Sequence, residues 1–370
     1  MKPLATIWYR RTLPSMGSRL SDIAAHAGVS TATVSRVLND RTGVAETTRQ
    51  AVLTSLDVLG YHRPVQLQPR GAGLIGLMIP ELENPIFPMF AQVIESGLAQ
   101  HGFTPLMCTR TPGGVSEEEY IDLLGEHGVA GIIFVSGFHA DSTADLSHYH
   151  RLRDMGLPLA FINGYAEGID GCFISDDDVA AMDLAVGHLV SLGHTAIGLA
   201  AGPERFVPAH RKVVGYRRAM RRRLGPEAEQ FVEVTLFTVA GGQAAAKVLL
   251  DKGCTAIICS TDMMALGAVR AVRSRDLSVP DDISVVGYDD SMLMAYTDPP
   301  LTTVRQSVLA MGSAAVQALV DEIAGRAPTR VELLFAPELV VRGSTGSGPR
   351  MRSTIPFEDR HSAAGRRALR

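Results

Sequence analysis

Apolar residues recur at helical spacing between residues 18 and 61. They form three groups, which Gly28 and the polar segment 39–43 separate from one another. Positions three and four apart share one face of an α-helix, so the pattern predicts three short helices. The predicted inward positions are Ile23, Ala24 and Ala27, then Val34, Val37 and Leu38, then Val52, Leu53, Leu56 and Leu59. Residues 62–73 contain two prolines and two glycines, a composition typical of a linker.

From Leu74 onward, short apolar runs alternate with longer amphipathic stretches. Runs that are apolar on both faces are typical of strands in a parallel sheet that helices cover on both sides. Seven such runs are too many for one small sheet, so the pattern predicts an α/β body of two doubly wound subdomains. The runs cover residues 74–79, 104–109, 131–136, 159–163, 196–201, 255–260 and 283–288.

The two ends of the chain have a different character. We expect residues 1–17 to form a disordered extension. Residues 346–370 contain Gly, Ser, Pro and Arg with almost no core-forming side chains, which predicts a disordered basic tail.

The composition limits the class of protein. Of the 370 residues, 46% are hydrophobic and 20% are charged, which is enough apolar material for large cores. No run reaches the ~18 apolar residues of a membrane span, and the first fifteen residues lack the apolar core of a signal peptide. The four cysteines are widely spaced and form no CxxC pair. We therefore expect a cytoplasmic protein with reduced, buried thiols and no membrane contact.

Charge is distributed unevenly behind the net value of −4. Residues 1–70 contain nine basic and four acidic residues, and residues 346–370 contain six arginines and two acidic residues. The segment between them is therefore strongly acidic. A basic module ahead of an acidic body suggests a head that binds a polyanion, although a solvated basic surface would look the same.

Residues 20–40 have the pattern of a helix-turn-helix. Leu20 to Ala27 forms the first helix, Gly28 permits the tight turn, and Ser30 can cap the second helix. The second helix then presents small and hydroxyl side chains outward, which lets it lie deep in the major groove of DNA. The predicted DNA contacts are Ser30, Thr31, Ala32, Thr33, Ser35, Arg36 and Asn39.

Within this set, Arg36 has the chemistry to read a base. Its guanidinium matches guanine O6 and N7, whereas Ser30, Ser35 and Asn39 are suited to phosphate oxygens. The alternative interpretation is a structural three-helix lobe with an ordinary surface arginine.

Polar and aromatic residues follow several predicted strands. Open α/β sheets bind ligands at the carboxyl ends of their strands, and sugars need amide or carboxylate partners together with an aromatic face. The candidates at strand ends are Asn84, Ile86, Phe87, Ser136, Asn163, Thr261, Asp262 and Asp289, with further aromatic faces from Phe206 and Phe237. Each polar candidate could instead cap the helix that follows its strand, and this alternative is favoured for Asp262.

The segments DIAAHAGVSTATVSRVLN, VAETTRQAV and LGY resemble the DNA-binding head of the LacI/GalR family of bacterial transcription regulators. The blocks IGLMIPELENPIFPMF, SVPDDISVVGYDD, PPLTTVRQ and PELVVRGST continue the resemblance in the family's order, over residues 19 to 345. The resemblance implies a repressor-like homodimer on a pseudo-palindromic double-stranded operator. It also implies a body like a periplasmic sugar-binding protein, with a small-molecule effector in the cleft between its subdomains.

The resemblance also suggests domain boundaries. A helix-turn-helix domain over 18–61 and a hinge over 62–73 would precede a body over 74–345. The N-subdomain would comprise about 74–163 and 297–327, and the C-subdomain about 164–296 and 328–345. The chain would then cross between them near 163–164, 288–296 and 327–330. Among the candidates, Phe87, Ser136, Asn163, Phe237, Thr261 and Asp289 match positions that often line the family's effector pocket.

Two departures from the family leave alternatives open. Where the family has an arginine four residues before an aromatic residue, this chain has Lys212, with Arg211 just before it. The resemblance implies that these two residues contact the effector, with Arg211 as the candidate for the arginine's role. Lysine lacks the planar fork of arginine, so a sugar, a phosphorylated or acidic compound and a purine-like effector all stay possible. In the hinge, Leu67 is the candidate minor-groove wedge, but Pro69 would stop a helix there, and a flexible linker is the alternative.

Other chemistries lack their residue patterns. Residues 176–178 are three consecutive aspartates, which suit a helix N-terminus better than a metal, since no other ligand follows at metal spacing. The chain has neither a nucleophile–base motif nor a phosphate loop, so we expect no enzyme activity, no cofactor and no metal. A periplasmic-type solute-binding protein without a regulatory role is the alternative. The helix-turn-helix and the missing signal peptide argue against it.

Overall fold

The computed structural model describes residues 16–38, 43–59, 72–110, 113–326 and 331–349. They divide into two compact units, Met1–Ala72 and Gly73–Arg370, which we call the head and the body. The predicted contacts Asn39 and Leu67, and nearly all of the predicted hinge, lie outside the described residues.

The described residues of the head form three helices, as predicted: α1 (Met16–Ala27), α2 (Thr31–Leu38) and α3 (Glu46–Val58). Gly28 adopts a left-handed conformation (φ +67°) between α1 and α2, which glycine reaches without a Cβ penalty. The buried core comprises Ile23, Ala24, Val34, Val37, Val52 and Leu56. Helix α1 begins at Met16, so the last two residues of the extension predicted over 1–17 are helical, and the rest of that segment lies outside the described residues.

The body contains two six-stranded sheets, each covered by helices, which define a first and a second lobe. The first sheet is entirely parallel in the order β11-β5-β4-β3-β1-β2. Its strands are β1 (Gly73–Ile79), β2 (Phe103–Thr109), β3 (Gly131–Val135), β4 (Leu159–Ile162), β5 (Cys172–Asp176) and β11 (Val331–Phe335). Its helices are α4 (Ile86–Gln100), α5 (Glu117–Glu126), α6 (Ser147–Asp154) and α11 (Val308–Ile323).

The second sheet has the order β12-β10-β9-β8-β6-β7, and only the pairing of β12 with β10 is antiparallel. Its strands are β6 (Ile197–Ala201), β7 (Phe231–Val234), β8 (Ala256–Cys259), β9 (Ser284–Asp289), β10 (Thr302–Arg305) and β12 (Glu338–Val340). Its helices are α7 (Asp178–Ser191), α8 (Val207–Leu224), α9 (Val239–Asp251) and α10 (Asp262–Arg273). The predicted doubly wound architecture of two subdomains is confirmed.

The predicted crossing points are wrong. Strand β5 pairs with β4, so the chain stays in the first lobe beyond residue 163 and crosses at 176–178. Strand β10 lies in the second sheet and β11 in the first, which places the other crossings at 305–308 and 335–338. The error arises because β5, β10 and β11 are short or partly polar and were absent from the predicted strands.

The body also extends beyond residue 345. The Gly346 amide donates to Ser284 Oγ at 3.0 Å, and the Gly348 amide donates to the Leu192 carbonyl at 2.7 Å. The prediction of disorder is therefore wrong for residues 346–348, which add hydrogen bonds to the second lobe, and residues 350–370 of the predicted tail lie outside the described residues.

Two further predictions concern the cysteines and membrane spans. Cys108, Cys172, Cys254 and Cys259 are buried free thiols, as predicted. Among the described helices, none combines the length and the apolar character needed to cross a bilayer.

Helices α9 and α10 pack so closely that glycine is required where they meet. A Cβ at Gly242 would lie 2.1 Å from the Met264 carbonyl oxygen, far inside van der Waals contact. We expect Gly242→Ala to destabilise the body by about 3 kcal/mol, because backbone atoms cannot move aside as a flexible side chain can. Thermal unfolding measures the effect. Gly125→Ala in α5 is the matched control, since its Cβ would meet nothing within 4 Å, and an equal loss in both variants would contradict the steric explanation.

Candidate functional site

Helix α2 of the head presents the predicted recognition surface. Val34 and Val37 are buried, and the opposite side exposes Thr31, Ala32 and Arg36. Thr33 and Ser35 are half-buried. This division follows from the helical period, which places positions 34 and 37 on one face and leaves the small residues and Arg36 to solvent.

Ser30 has a structural task at the start of this helix. Its Oγ accepts a hydrogen bond from the Thr33 amide at 3.1 Å, and its Oγ lies 2.9 Å from Thr33 Oγ1. Ser30 is therefore an N-cap that fixes the first turn of α2. A shallow groove of the head is lined by Val29, Ser30, Thr33, Arg36, Gly43, Val44, Ala45 and Thr48. Thr48, at the start of α3, was not among the predicted contacts.

In the body, a cleft between the two lobes encloses a cavity of about 240 Å³. The predicted effector residues that line it are Asn84, Ile86, Phe87, Ser136, Asn163, Phe206, Lys212, Phe237, Thr261 and Asp289, whereas Asp262 and Arg211 do not line it. The lining residues meet here because the loops at the strand ends of both sheets converge on the cleft.

Three of these strand ends have unusual backbone conformations. Ser136, Asn163 and Asp289 have φ values of +48°, +63° and +120°. Residues other than glycine adopt positive φ at a cost of about 1–3 kcal/mol, and such strain concentrates at functional sites. The strain therefore supports the cleft as the functional site of the body.

Asp289 connects the two lobes inside the cleft. Its Oδ1 accepts a hydrogen bond from Gln306 Nε2 at 2.6 Å, and its Oδ2 accepts one from Asn84 Nδ2 at 3.4 Å. Burial and the neighbouring Asp262 carboxyl raise the pKa of Asp289 well above its ordinary value. Asn84 follows β1 of the first lobe, so any ligand that bonds Asp289 lies beside residues of both lobes.

Lys212 and Arg211 have different roles. Lys212 lines the cleft, where its Nζ lies 2.7 Å from Asp178 Oδ1 and 3.8 Å from the centroid of the Tyr288 ring. The prediction that Arg211 faces the effector is wrong. Its guanidinium forms two hydrogen bonds to Glu332, at 2.6 and 2.9 Å. Consecutive residues of α8 point about 100° apart, so only one of the two can face the cleft.

After β8, the capping alternative holds for Thr261 and is wrong for Asp262, for which it was favoured. Thr261 Oγ1 accepts from the Met264 amide at 3.2 Å, which makes it the N-cap of α10, although it also lines the cleft. Asp262 accepts hydrogen bonds from the Ser291 amide and from Thr303 Oγ1, as a buried structural carboxyl. The aspartate run at 176–178 begins α7 as expected, with Asp177 as its N-cap.

Several lining residues escaped prediction. They include Glu81, Arg110, Ser175, Asp176, Asp178, Ser260, Tyr288 and Gln306. Asp176 and Gln306 lie where the chain crosses between lobes, so locating β5 and β10 would have identified them. Within the described part of the chain, no group of His, Cys, Asp and Glu residues could hold a metal ion.

Three buried polar atoms of the cleft have no hydrogen-bond partner among the described residues. They are Asp176 Oδ2, Ser260 Oγ and Gln306 Oε1. A buried polar atom without a partner costs about 1–3 kcal/mol. A ligand that bonds these atoms would remove that cost, so the cleft is suited to a partner with several hydroxyl groups.

At Asp176, the free-energy cost of burial depends on pH. Burial and the neighbouring Asp178 carboxylate raise its pKa to about 7, so ionisation destabilises the folded body. Its stabilising contribution is present below its unfolded pKa of 3.8 and is lost as pH rises through about 7. We expect Asp176→Asn to stabilise the protein by about 1–3 kcal/mol at alkaline pH and by much less at acid pH. Unfolding scans across pH measure this, and a gain that is independent of pH would contradict it.

Comparison with known proteins fits this geometry. Residues 19–64 match the family model of bacterial regulatory proteins of the lacI family, and residues 186–345 match the periplasmic binding protein-like domain. Over 338 residues the chain is 58% identical to the HTH-type transcriptional regulator MalR of Streptomyces coelicolor, covering 90% of this chain and 98% of that protein. The chain belongs to the LacI family.

A more distant relative and two solved structures also match over most of this chain. The transcriptional repressor CytR of Escherichia coli is 31% identical over 89% of this chain and 97% of that protein. A CelR–cellobiose complex matches with a TM-score of 0.66 and 30% identity, over 88% of this chain and 99% of that one. A lac repressor dimer bound to operator and the anti-inducer ONPF matches with a TM-score of 0.64 and 29% identity, over 89% and 99%. A DNA-binding transcriptional regulator is therefore confirmed over an enzyme or a periplasmic-type solute-binding protein.

Proposed function

We propose that this LacI-family regulator is a repressor whose operator affinity is controlled by a neutral, hydroxyl-rich effector, a sugar of one or two rings. The observation that carries the proposal is the set of unpartnered polar atoms in the cleft, on Asp176, Ser260 and Gln306. Sugar hydroxyls both donate and accept hydrogen bonds, so one ring can satisfy several such atoms.

The aromatic lining supports the same ligand class. The Phe206 and Phe237 rings lie 5.9 Å apart between centroids, and Phe87 lines the cleft from the first lobe. These rings offer apolar faces for the C–H side of a sugar ring.

The charges of the cleft argue against an anionic effector. Lys212 forms an ion pair with Asp178. Arg110 Nε lies 3.8 Å from Glu117, and its guanidinium carbon is 4.7 Å from the centroid of the Phe138 ring. Both cations of the described lining are thus engaged, whereas Glu81, Asp176 and Asp289 add carboxyl groups, which repel an anion when ionised and can donate to a sugar oxygen when protonated. A phosphate or carboxylate would have to displace existing partners, and a neutral polyol would not.

The named relatives are consistent with this proposal. CelR is described in complex with cellobiose, and an Enterococcus faecium regulator, 28% identical over 74% of this chain, with bound ribose. CytR is named a repressor, and the lac repressor dimer is described on its operator.

A panel of ligands tests the effector class on the full chain. Glucose, ribose, cellobiose and its α-linked isomer maltose represent neutral sugars, and glucose 6-phosphate and adenosine represent the alternatives. A ligand at a hundredfold excess over its Kd stabilises by about 2.7 kcal/mol, which a thermal-shift assay detects. We expect a neutral sugar to give the largest shift. The largest shift from glucose 6-phosphate or adenosine would overturn the proposal.

We propose that the regulator acts as a homodimer joined through the body. One head offers a small interface, so tight specific binding needs two half-sites. An apolar patch of Met292, Leu293 and Tyr296 is exposed beside β9, with exposures of 71%, 58% and 86%. Burying this patch against a second copy would remove it from water.

Leu293→Glu is expected to convert the dimer to a monomer in light scattering, because the dimer would have to bury an unpaired charge. Operator affinity should fall with it, since the two heads are no longer linked. Met155→Glu is the control, because Met155 is an exposed methionine, at 69%, outside this patch. If Leu293→Glu stays a dimer, the patch is not the interface.

A further inference from the structure

Two loop segments join the lobes at the edge of the cleft, apart from the three chain crossings. Asp141 and Ser142 follow the single helical turn after β3, and Arg205 and Phe206 precede α8. Asp141 and Phe206 form an antiparallel β-bridge. The Ser142 amide and Oγ donate to the Arg205 carbonyl at 2.8 and 2.9 Å, and Arg205 Nε donates to Asp141 Oδ2 at 2.9 Å. We call these four residues the clasp.

The first-lobe half of the clasp is held in place by its own lobe. Asp141 Oδ1 accepts from the Thr143 amide at 3.0 Å and from Thr143 Oγ1 at 2.7 Å. The preceding turn begins at Phe138, whose amide donates to the buried Glu117 carboxylate at 3.1 Å. Since Glu117 starts α5, the turn is anchored to the lobe's core and does not depend on the second lobe for its shape.

The second-lobe half of the clasp reaches the cleft. The Arg205 guanidinium carbon lies 4.4 Å from the centroid of the Phe206 ring, and Phe206 lines the cleft beside Phe237. The clasp therefore fixes the orientation of one of its own members, the Phe206 ring, which a sugar in the cleft would touch.

We propose that the clasp holds the two lobes closed and so sets how slowly a sugar leaves the cleft, with Asp141 and Arg205 as positioning residues. The inference rests on the proposed function for its ligand. Opening the cleft must break the β-bridge, the two hydrogen bonds to the Arg205 carbonyl and the ion pair. These interactions can form only while the lobes are together. Interactions present only in the closed state slow dissociation more than association.

Amide hydrogen exchange on the full chain without ligand tests whether the clasp forms. The Ser142 amide should be protected in the wild type, and Arg205→Gln should speed its exchange by about fivefold. Asp141→Asn should have a similar effect, because it removes the charge that pairs with Arg205. Its amide oxygen can still accept from Thr143, so the shape of the turn is kept. Arg275→Gln is the control, because the Arg275–Asp251 pair (2.7 Å) joins the turn after α10 to α9 within one lobe. A Ser142 amide that exchanges equally fast in the wild type and in Arg205→Gln would overturn the proposal.

Stopped-flow dissociation of cellobiose or maltose tests the effect on the ligand. Arg205→Gln should raise the dissociation rate by about fivefold with little change in association, and the difference should shrink at high salt. The double variant with Asp141→Asn should be no faster than either single variant, because both remove the same pair. An unchanged dissociation rate would overturn the proposal even if exchange is faster. If no sugar of the panel binds the wild type, the proposed effector class fails, and the exchange result alone decides whether the clasp closes the cleft.

Discussion

Replacing Arg36 by alanine is expected to weaken operator binding by about 1–3 kcal/mol per half-site, and by twice that in the dimer. Arg36 is exposed on α2 beside the groove that Thr33 and Thr48 also line. A guanidinium at this position can form two parallel hydrogen bonds to guanine, and alanine forms none. Fluorescence anisotropy with the operator and with scrambled DNA measures the loss and its dependence on sequence.

Arg36→Lys separates base reading from charge. Lysine keeps the positive charge but lacks the planar fork, so binding to scrambled DNA should survive while the preference for the operator falls. Thr54→Ala, an exposed position of α3 outside the groove, controls for damage to the head. Effector binding should stay unchanged in all three variants, because the head is a separate unit. If Arg36→Ala keeps its sequence preference, Arg36 does not read a base.

The head was predictable because its determinants are local. The spacing of Val34 and Val37, the turn at Gly28 and the cap at Ser30 all lie within about ten residues, and the structure contains each of them. No distant contact was needed to decide which face of α2 is exposed.

The cleft was predictable only in part. Strand ends such as Ser136 and Asn163 follow long apolar runs, and parallel sheets bring such ends together. Asp176 ends β5 and Gln306 follows β10. Both strands are short, and β10 has the sequence TTVR, so the pattern did not distinguish it from a loop. The misplaced crossings followed from missing these two strands and β11.

The choice between Lys212 and Arg211 needed tertiary information. Both lie on α8, and only the position of Glu332 on β11 decides that Arg211 turns away from the cleft. The clasp could not be predicted from the sequence either, because Asp141 and Arg205 are 64 residues apart and belong to different lobes.

The second large effect is expected at Asp289, where alanine should lower effector affinity about 100-fold or more. A neutral hydrogen bond contributes about 0.5–1.5 kcal/mol, and a sugar hydroxyl left without a partner in the cleft costs about 1–3 kcal/mol, so losing the two bonds that Asp289 can offer accounts for this decrease. Operator affinity without effector should change little, since Asp289 lies in the body and the head is a separate unit. For a repressor that a sugar releases, Asp289→Ala therefore predicts an operator complex that the sugar no longer dissociates.

Asp289→Asn sharpens this test. Burial and Asp262 raise the pKa of Asp289, which favours the neutral acid, and an asparagine amide resembles a neutral acid in shape and bonding capacity. The asparagine variant should therefore keep more effector affinity than the alanine variant, and it preserves partners for Gln306 and Asn84. Asp251→Ala, which removes an exposed carboxylate of α9 outside the cleft lining, is the control. Calorimetry for the effector and anisotropy for the operator would be run on all variants. If Asp289→Ala binds the sugar as the wild type does, Asp289 only joins the lobes and the effector lies elsewhere in the cleft.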